Sequence, residues 1–156
     1  MLPFSGSNLG LPMTSIARLF SSLEGQWNFH RTISQNGIVQ GLATFTKSDA
    51  TTLLYREEGE WTQTKTTSYQ VYQEYIYALK DGSIAVYFAK TPRKLFHVLT
   101  FPVLNKALAS HQCKRDLYGT CYRFINPNQF SITHTIAGPQ KNMTITTQFT
   151  RKETPC

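Results

Sequence analysis

From Gly25 to Arg151 the chain alternates apolar and polar positions with a period of two, in short runs cut by turn residues. In the first run Trp27, Phe29, Arg31 and Ile33 share one face, and in the last Met143, Ile145, Thr147, Phe149 and Arg151 do. A period of two is the mark of strands buried on one side. The runs predict strands over about 26–33, 40–47, 52–60, 68–79, 84–89, 95–101, 118–125, 130–137 and 143–151. Asn36-Gly37, Asp81-Gly82, Thr91-Pro92, Asn126-Pro127-Asn128 and Gly138-Pro139 separate them, each a turn former with a backbone reason. Such short connections favour antiparallel neighbours in a meander. Segment 102–117 breaks the pattern and predicts a long loop, a frequent carrier of function.

Ahead of the strands the period changes. Residues 1–13 are rich in Gly, Pro and Ser and predict a loose leader. Ile16, Leu19, Phe20 and Leu23 then fall at helical spacing behind Thr14 as an N-cap, giving a short helix able to cover a barrel mouth. Residues 14–152 form one expected domain, with 153–156 as a tail. A long meander must hide its edge strands, and closing the sheet does so. The expected fold is therefore all-β: an antiparallel up-and-down barrel of about 8–10 strands with one N-terminal helix. A sandwich is second, because the long run at 68–79 suits a tilted barrel strand better.

The two ends of the pattern carry a signature. Gly25-Gln26-Trp27 opens the first strand and Gln148-Phe149-Thr150-Arg151 closes the last. This resembles the calycin barrels (lipocalins, fatty-acid-binding proteins and their relatives), in which a Gly-x-Trp starts the first strand and a late Arg crosses the Trp ring. The resemblance implies that Arg151 stacks on Trp27 and plugs one barrel end, with Gly25 beside them. Guanidinium–indole stacking makes that physically sound.

Composition changes the picture little. At 156 residues the chain suits one domain that buries roughly 70% of its unfolded surface. Its formal charge of +7 raises the question of an anionic partner. The cations are scattered in sequence, with Lys90, Arg93 and Lys94 about one turn and Lys114-Arg115 in another, so they read as solvated loops and not as a nucleic-acid surface. Cys113, Cys121 and Cys156 are odd in number and lack metal-ligand spacing, so no metal is expected. Met1–Met13 lacks the charged and apolar regions of a signal peptide, and no apolar run nears the ~20 residues of a membrane span. The expectation is a reducing, cytoplasmic setting.

Candidate chemistry comes from polar residues on the apolar face. Arg31 lies there, and in Tyr55-Arg56-Glu57-Glu58-Gly59-Glu60 at least one of Glu57 and Glu58 points inward. Unpaired, these charges would be costly, so Arg31 is expected either to pair with one of those glutamates or to anchor a ligand. Leu95, His97, Leu99 and Phe101 share a face, as do Phe130, Ile132, His134 and Ile136. A core role is the commoner fate of such histidines. His111, Cys113, Asp116 and Tyr118 form the densest chemical cluster, either pinning a loop or lining a mouth. Lys141 sits at a rim after Gly138-Pro139-Gln140, and Tyr75 is among the tyrosines able to line a pocket.

From about residue 20 to 152 the chain also resembles a family of small proteins catalogued as a domain of unknown function and thought to be lipocalin-like. The residues carrying this are Gly25-Gln26-Trp27 with Arg31-Thr32-Ile33, Gly41-Leu42-Ala43-Thr44-Phe45, Leu54 to Gly59, Phe96-His97, His111-Gln112-Cys113, Asp116-Leu117-Tyr118, Gly138 to Lys141, and Thr150-Arg151. It implies a calycin-type barrel with an unusually polar interior and no established activity. The leading functional expectation is a barrel for an acidic, amphipathic small molecule, contacted by Arg31, Glu57, Glu58, Tyr75, His97, His111, Tyr118 and Lys141 and needing no cofactor. One alternative is an enzyme using His97 or His111 beside Asp116 and Tyr118 as acid and base. Another is a haem barrel ligated by His97 or His134.

Overall fold

The computed structural model describes residues 15–153. The proposed leader, Thr14 as N-cap, and Cys156 in the tail lie outside them. Helix α1 (Ile16–Ser22) is followed by ten strands: β1 (Gly25–Ile33), β2 (Gly37–Asp49), β3 (Thr52–Thr64), β4 (Thr67–Lys80), β5 (Ser83–Phe88), β6 (Lys94–Val103), β7 (Lys106–Cys113), β8 (Asp116–Asn126), β9 (Gln129–Ala137) and β10 (Asn142–Arg151). Ser15 caps the helix, its hydroxyl accepting from the Arg18 N–H at 3.1 Å. Consecutive strands pair antiparallel, and β1 pairs with β10 from Trp27↔Arg151 to Ile33↔Ile145, which closes the barrel. The fold is the expected up-and-down all-β barrel.

Two departures from the sequence pattern matter. The expected loop 102–117 contains β7. Its Lys106-Ala107-Leu108-Ala109-Ser110 has little β-branched or aromatic content, so propensity undersells it. Pairing with β8 from Lys106↔Arg123 to Cys113↔Asp116 holds it, whereas its register with β6 is confined to Thr100↔Leu108 and Val103↔Lys106. The second departure is a bulge. Val86 pairs with His97 but Tyr87 pairs with Leu95, so Phe96 is the extra residue. It breaks the alternation: Leu95 turns out to solvent, 48% exposed, and Phe96 joins His97 on the cavity wall.

The barrel has a solid half and a hollow half. The turns β2–β3, β4–β5, β6–β7 and β8–β9 lie at the end covered by α1, and the other five turns lie at the opposite end. Near α1, Phe20, Leu23, Trp27, Phe45, Leu53, Ile84, Leu99, Ala107 and Phe130 fill the interior. The helix therefore seals the closed end and leaves the mouth uncovered. Arg151 stacks over the Trp27 ring at 4.2 Å. It also donates to the carbonyls of Ser22, Glu24 and Pro127 and to Asn128 Oδ1, tying helix, first strand and the β8–β9 turn together. Gly25, at φ 123°, leaves the guanidinium room: an added Cβ would sit 3.0 Å from Arg151 Nη1. Gly41 and Gly59 face each other across β2 and β3, and side chains there would strike the opposite backbone. That close approach admits the Phe29 ring against Gly59.

Candidate functional site

Above the packed half is a cavity of about 540 Å³, within the range of small-molecule sites. Its base is a layer of tyrosines. The Tyr77 and Tyr122 hydroxyls bond each other at 2.6 Å, and Tyr55 donates to Glu57 Oε1 at 2.5 Å. Burial raises the pKa of all three phenols, so they remain protonated donors.

Across this base runs one ion pair. Arg31 Nη1 and Nη2 donate to Glu57 Oε2 and Oε1 at 2.6 and 2.9 Å, and Arg31 Nε donates to Thr147 Oγ1 at 2.8 Å. Burial strips water from the guanidinium, but Glu57 more than offsets this and its pKa lies above the ordinary arginine value. Of the two glutamates considered, Glu57 is the inward one. Glu58 falls on the opposite face of β3, pairs with Arg56 at 3.0 Å in solvent and cannot contact the cavity. The inward cation is thus already neutralised, leaving two of its five N–H donors for anything else.

Three histidines line the cavity. His97 is 7% exposed, and its Nε2 is buried with no hydrogen-bond partner. His134 Nδ1 lies 3.0 Å from Thr120 Oγ1. Burial lowers both imidazoles to a pKa of about 4, with His134 adding to the effect on His97 and Arg31 to that on His134, so both are neutral at pH 7. His111 lies toward the mouth, stacked parallel on Tyr118 at 4.9 Å. Tyr75 stacks on Phe96 at 5.5 Å, and Phe96 contacts His97 at 4.1 Å between centroids. Trp61, Tyr72, Ile33, Val71, Ile136 and Ile145 complete the apolar wall.

The structure thus brings Arg31, Glu57, Tyr75, His97, His111 and Tyr118 to one cavity. Asp116 does not line it: its carboxylate packs on Gly138, where a Cβ would collide with Oδ1. Lys141 is exposed in the β9–β10 turn and is not a lining residue. Cys113 and Cys121 are free thiols, the first exposed and the second half-buried. Among the described residues no three His, Cys, Asp or Glu could hold a metal. Sequence reasoning passed over Tyr55, Tyr77, Tyr122, Thr120 and Thr147 as polar contributors. The alternation of β3, β4, β8 and β10 carried that signal.

The neutral histidines have a consequence for stability. Below the unfolded pKa of 6.5, unfolded His97 and His134 take up protons that the folded imidazoles refuse until about pH 4. Stability is therefore full above pH 6.5 and falls as pH drops toward 4. Thermal melts between pH 7 and 5 will show Tm falling with acid. The slope will shrink in a His97→Leu/His134→Leu variant; an equally steep slope there would contradict this assignment.

Residues 23–151 match the model of DUF6314, a family of unknown function. The chain belongs to that family. No curated protein matches it. Among solved structures, the S-type phycobiliprotein lyase CPES from Guillardia theta superposes with a TM-score of 0.65 at 11% identity, over 91% of this chain and 95% of that one. EF1p2_mFAP2b, solved bound to DFHBI, gives 0.53 at 13% identity over 88% and 100%, and a redesigned β-barrel gives 0.51 at 16% over 90% and 100%. At these identities the likeness is one of fold, and it agrees with the closed up-and-down β-barrel that this DUF6314 chain forms.

Proposed function

We propose that this DUF6314 protein binds a planar, aromatic small molecule carrying an acidic group. The observation that carries the reading is the orphaned His97 Nε2, buried on the wall of an aromatic-lined cavity. Buried polar atoms are partnered in nearly all native structures, so one left without a partner in a residue of the cavity wall marks a place for a ligand donor or acceptor. Tyr75, Phe96, His111 and Tyr118 offer stacking faces for a flat body. The Arg31–Glu57 pair offers no net charge at the base, so the ligand's acid faces the mouth and its less polar end meets the tyrosine layer. Two barrels of this fold accord with such a use: one solved bound to DFHBI and one named a phycobiliprotein lyase. Acid–base catalysis by His97 near pH 7 is disfavoured, because its imidazole titrates near pH 4 and Asp116 is outside the cavity.

Titration with anilinonaphthalene sulfonate, a flat aromatic acid that brightens in apolar sites, tests this. The wild type will bind one equivalent with enhanced emission. His97→Leu removes a desolvated, unpartnered nitrogen, so it will raise Tm while weakening binding about fivefold to tenfold, the worth of a hydrogen bond of about 1–1.4 kcal/mol. A lower Tm with unchanged binding would make His97 a structural residue. A Soret band in the purified protein would replace the aromatic acid with haem.

A further inference from the structure

The topology gathers charge that is scattered in the sequence. Four of the five turns at the open end carry cations: Lys65 in β3–β4, Lys90 and Arg93 in β5–β6 with Lys94 directly after, Lys114 and Arg115 in β7–β8, and Lys141 in β9–β10. All seven are exposed. Against them the described turns of that end hold no carboxylate, and Asp116, the first residue of β8, directly follows one of them. The closed end is different: Arg18, Lys47, Lys80, Lys106, Arg123, Arg151 and Lys152 are interleaved there with Glu24, Asp49, Asp81 and Glu153. The wall carries more acid than base, so most of the chain's +7 sits at the mouth.

We infer that the open end docks on the surface of an anionic lipid bilayer. The cations do not converge on the cavity. They stand on separate turn tips around the rim, so a small anion can reach one or two of them, whereas a flat anionic surface meets all four turns at once. Leu95 and Leu117, 48% and 50% exposed, lie on the outer wall one or two residues behind the basic turns, and Pro92 and Pro139 stand exposed at the tips. Basic tips backed by apolar side chains suit a headgroup layer over hydrocarbon. In this orientation the cavity mouth faces the bilayer, so an amphipathic ligand passes between membrane and barrel without crossing bulk water. The docking itself rests on the rim alone and not on the cavity reading.

Co-sedimentation with vesicles separates the outcomes. The full chain will bind vesicles of equimolar phosphatidylglycerol and phosphatidylcholine, and not those of phosphatidylcholine alone. Near 1 M NaCl, where the screening length is about 3 Å, it will be released. Each cation near such a surface is worth about fivefold, so Lys90→Glu/Arg93→Glu/Lys94→Glu will weaken binding by more than about a hundredfold. Lys80→Glu/Lys106→Glu/Lys152→Glu makes the same change in net charge at the closed end and will leave binding nearly intact. All these positions are exposed apart from the half-buried Lys106, and unchanged melting temperatures will confirm folding. Equal binding to both vesicle types, equal loss in both triple variants, or retention on polyglutamate without vesicle binding would overturn the inference, the last in favour of an acidic macromolecule. Ile136→Trp, which fills the cavity mouth, will leave vesicle binding intact, so the docking and the ligand reading fail separately.

Discussion

Glu57→Ala will cost about 3–5 kcal/mol, a large share of the roughly 5–15 kcal/mol that holds a domain of this kind together. The loss is not the deleted contact alone. The substitution strands the Arg31 guanidinium, 14% exposed, as an uncompensated charge inside the barrel, and it removes the acceptor of the Tyr55 hydroxyl. Arg31→Ala leaves the opposite charge and a hole, while Arg31→Leu refills the volume and will destabilise less. The double variant Arg31→Leu/Glu57→Leu will recover most of the stability lost in Glu57→Ala, since an apolar pair of similar size replaces a desolvated ionic one. Chemical denaturation of these four variants together with Glu57→Leu completes the cycle. Additive losses, with no recovery in the double variant, would mean that the two side chains act independently.

Arg151→Ala is the second large effect. It removes the stacking on Trp27 and leaves the Ser22, Glu24 and Pro127 carbonyls without their shared donor. Because the guanidinium is partly solvated, the expected loss is held to about 2–3 kcal/mol, or roughly 5–10 °C in Tm for a domain of this length. Circular dichroism will show the strands retained, since the β1–β10 ladder runs on to Ile33↔Ile145. Arg151→Lys will recover little: an ammonium lacks the planar fork that reaches Nε, Nη1 and Nη2 partners together. Full recovery by lysine would show that charge alone matters at this end.

Much of the fold was legible because it is repetitive. Alternation in β1 placed Arg31 inside with Trp27, Phe29 and Ile33, and the short turns gave the meander. What the alternation could not show was where it stops holding. Phe96 enters the cavity through a bulge that depends on the partner strand, Tyr87↔Leu95, and no property of the β6 sequence announces it. Strand β7 is poor in strand formers and takes its conformation from β8. At the site, the choice between Glu57 and Glu58 turned on strand phase, and one residue of phase exchanges cavity for solvent. Asp116 looked like mouth chemistry in sequence but is consumed by packing on Gly138, which lies on a different turn. The basic rim was hidden for the reverse reason: its members are 76 residues apart at the extremes, Lys65 to Lys141, and only barrel closure makes them neighbours.

Occupancy of the hollow half of the barrel by a small aromatic molecule is what we propose for this protein. Native mass spectrometry of the protein purified from the cells that make it tests this directly. The expected mass exceeds that of the chain by one organic molecule of a few hundred daltons, absorbing in the near ultraviolet and absent from the Ile136→Trp variant. A bare chain mass in both proteins, with no binding of anilinonaphthalene sulfonate to either, would contradict it.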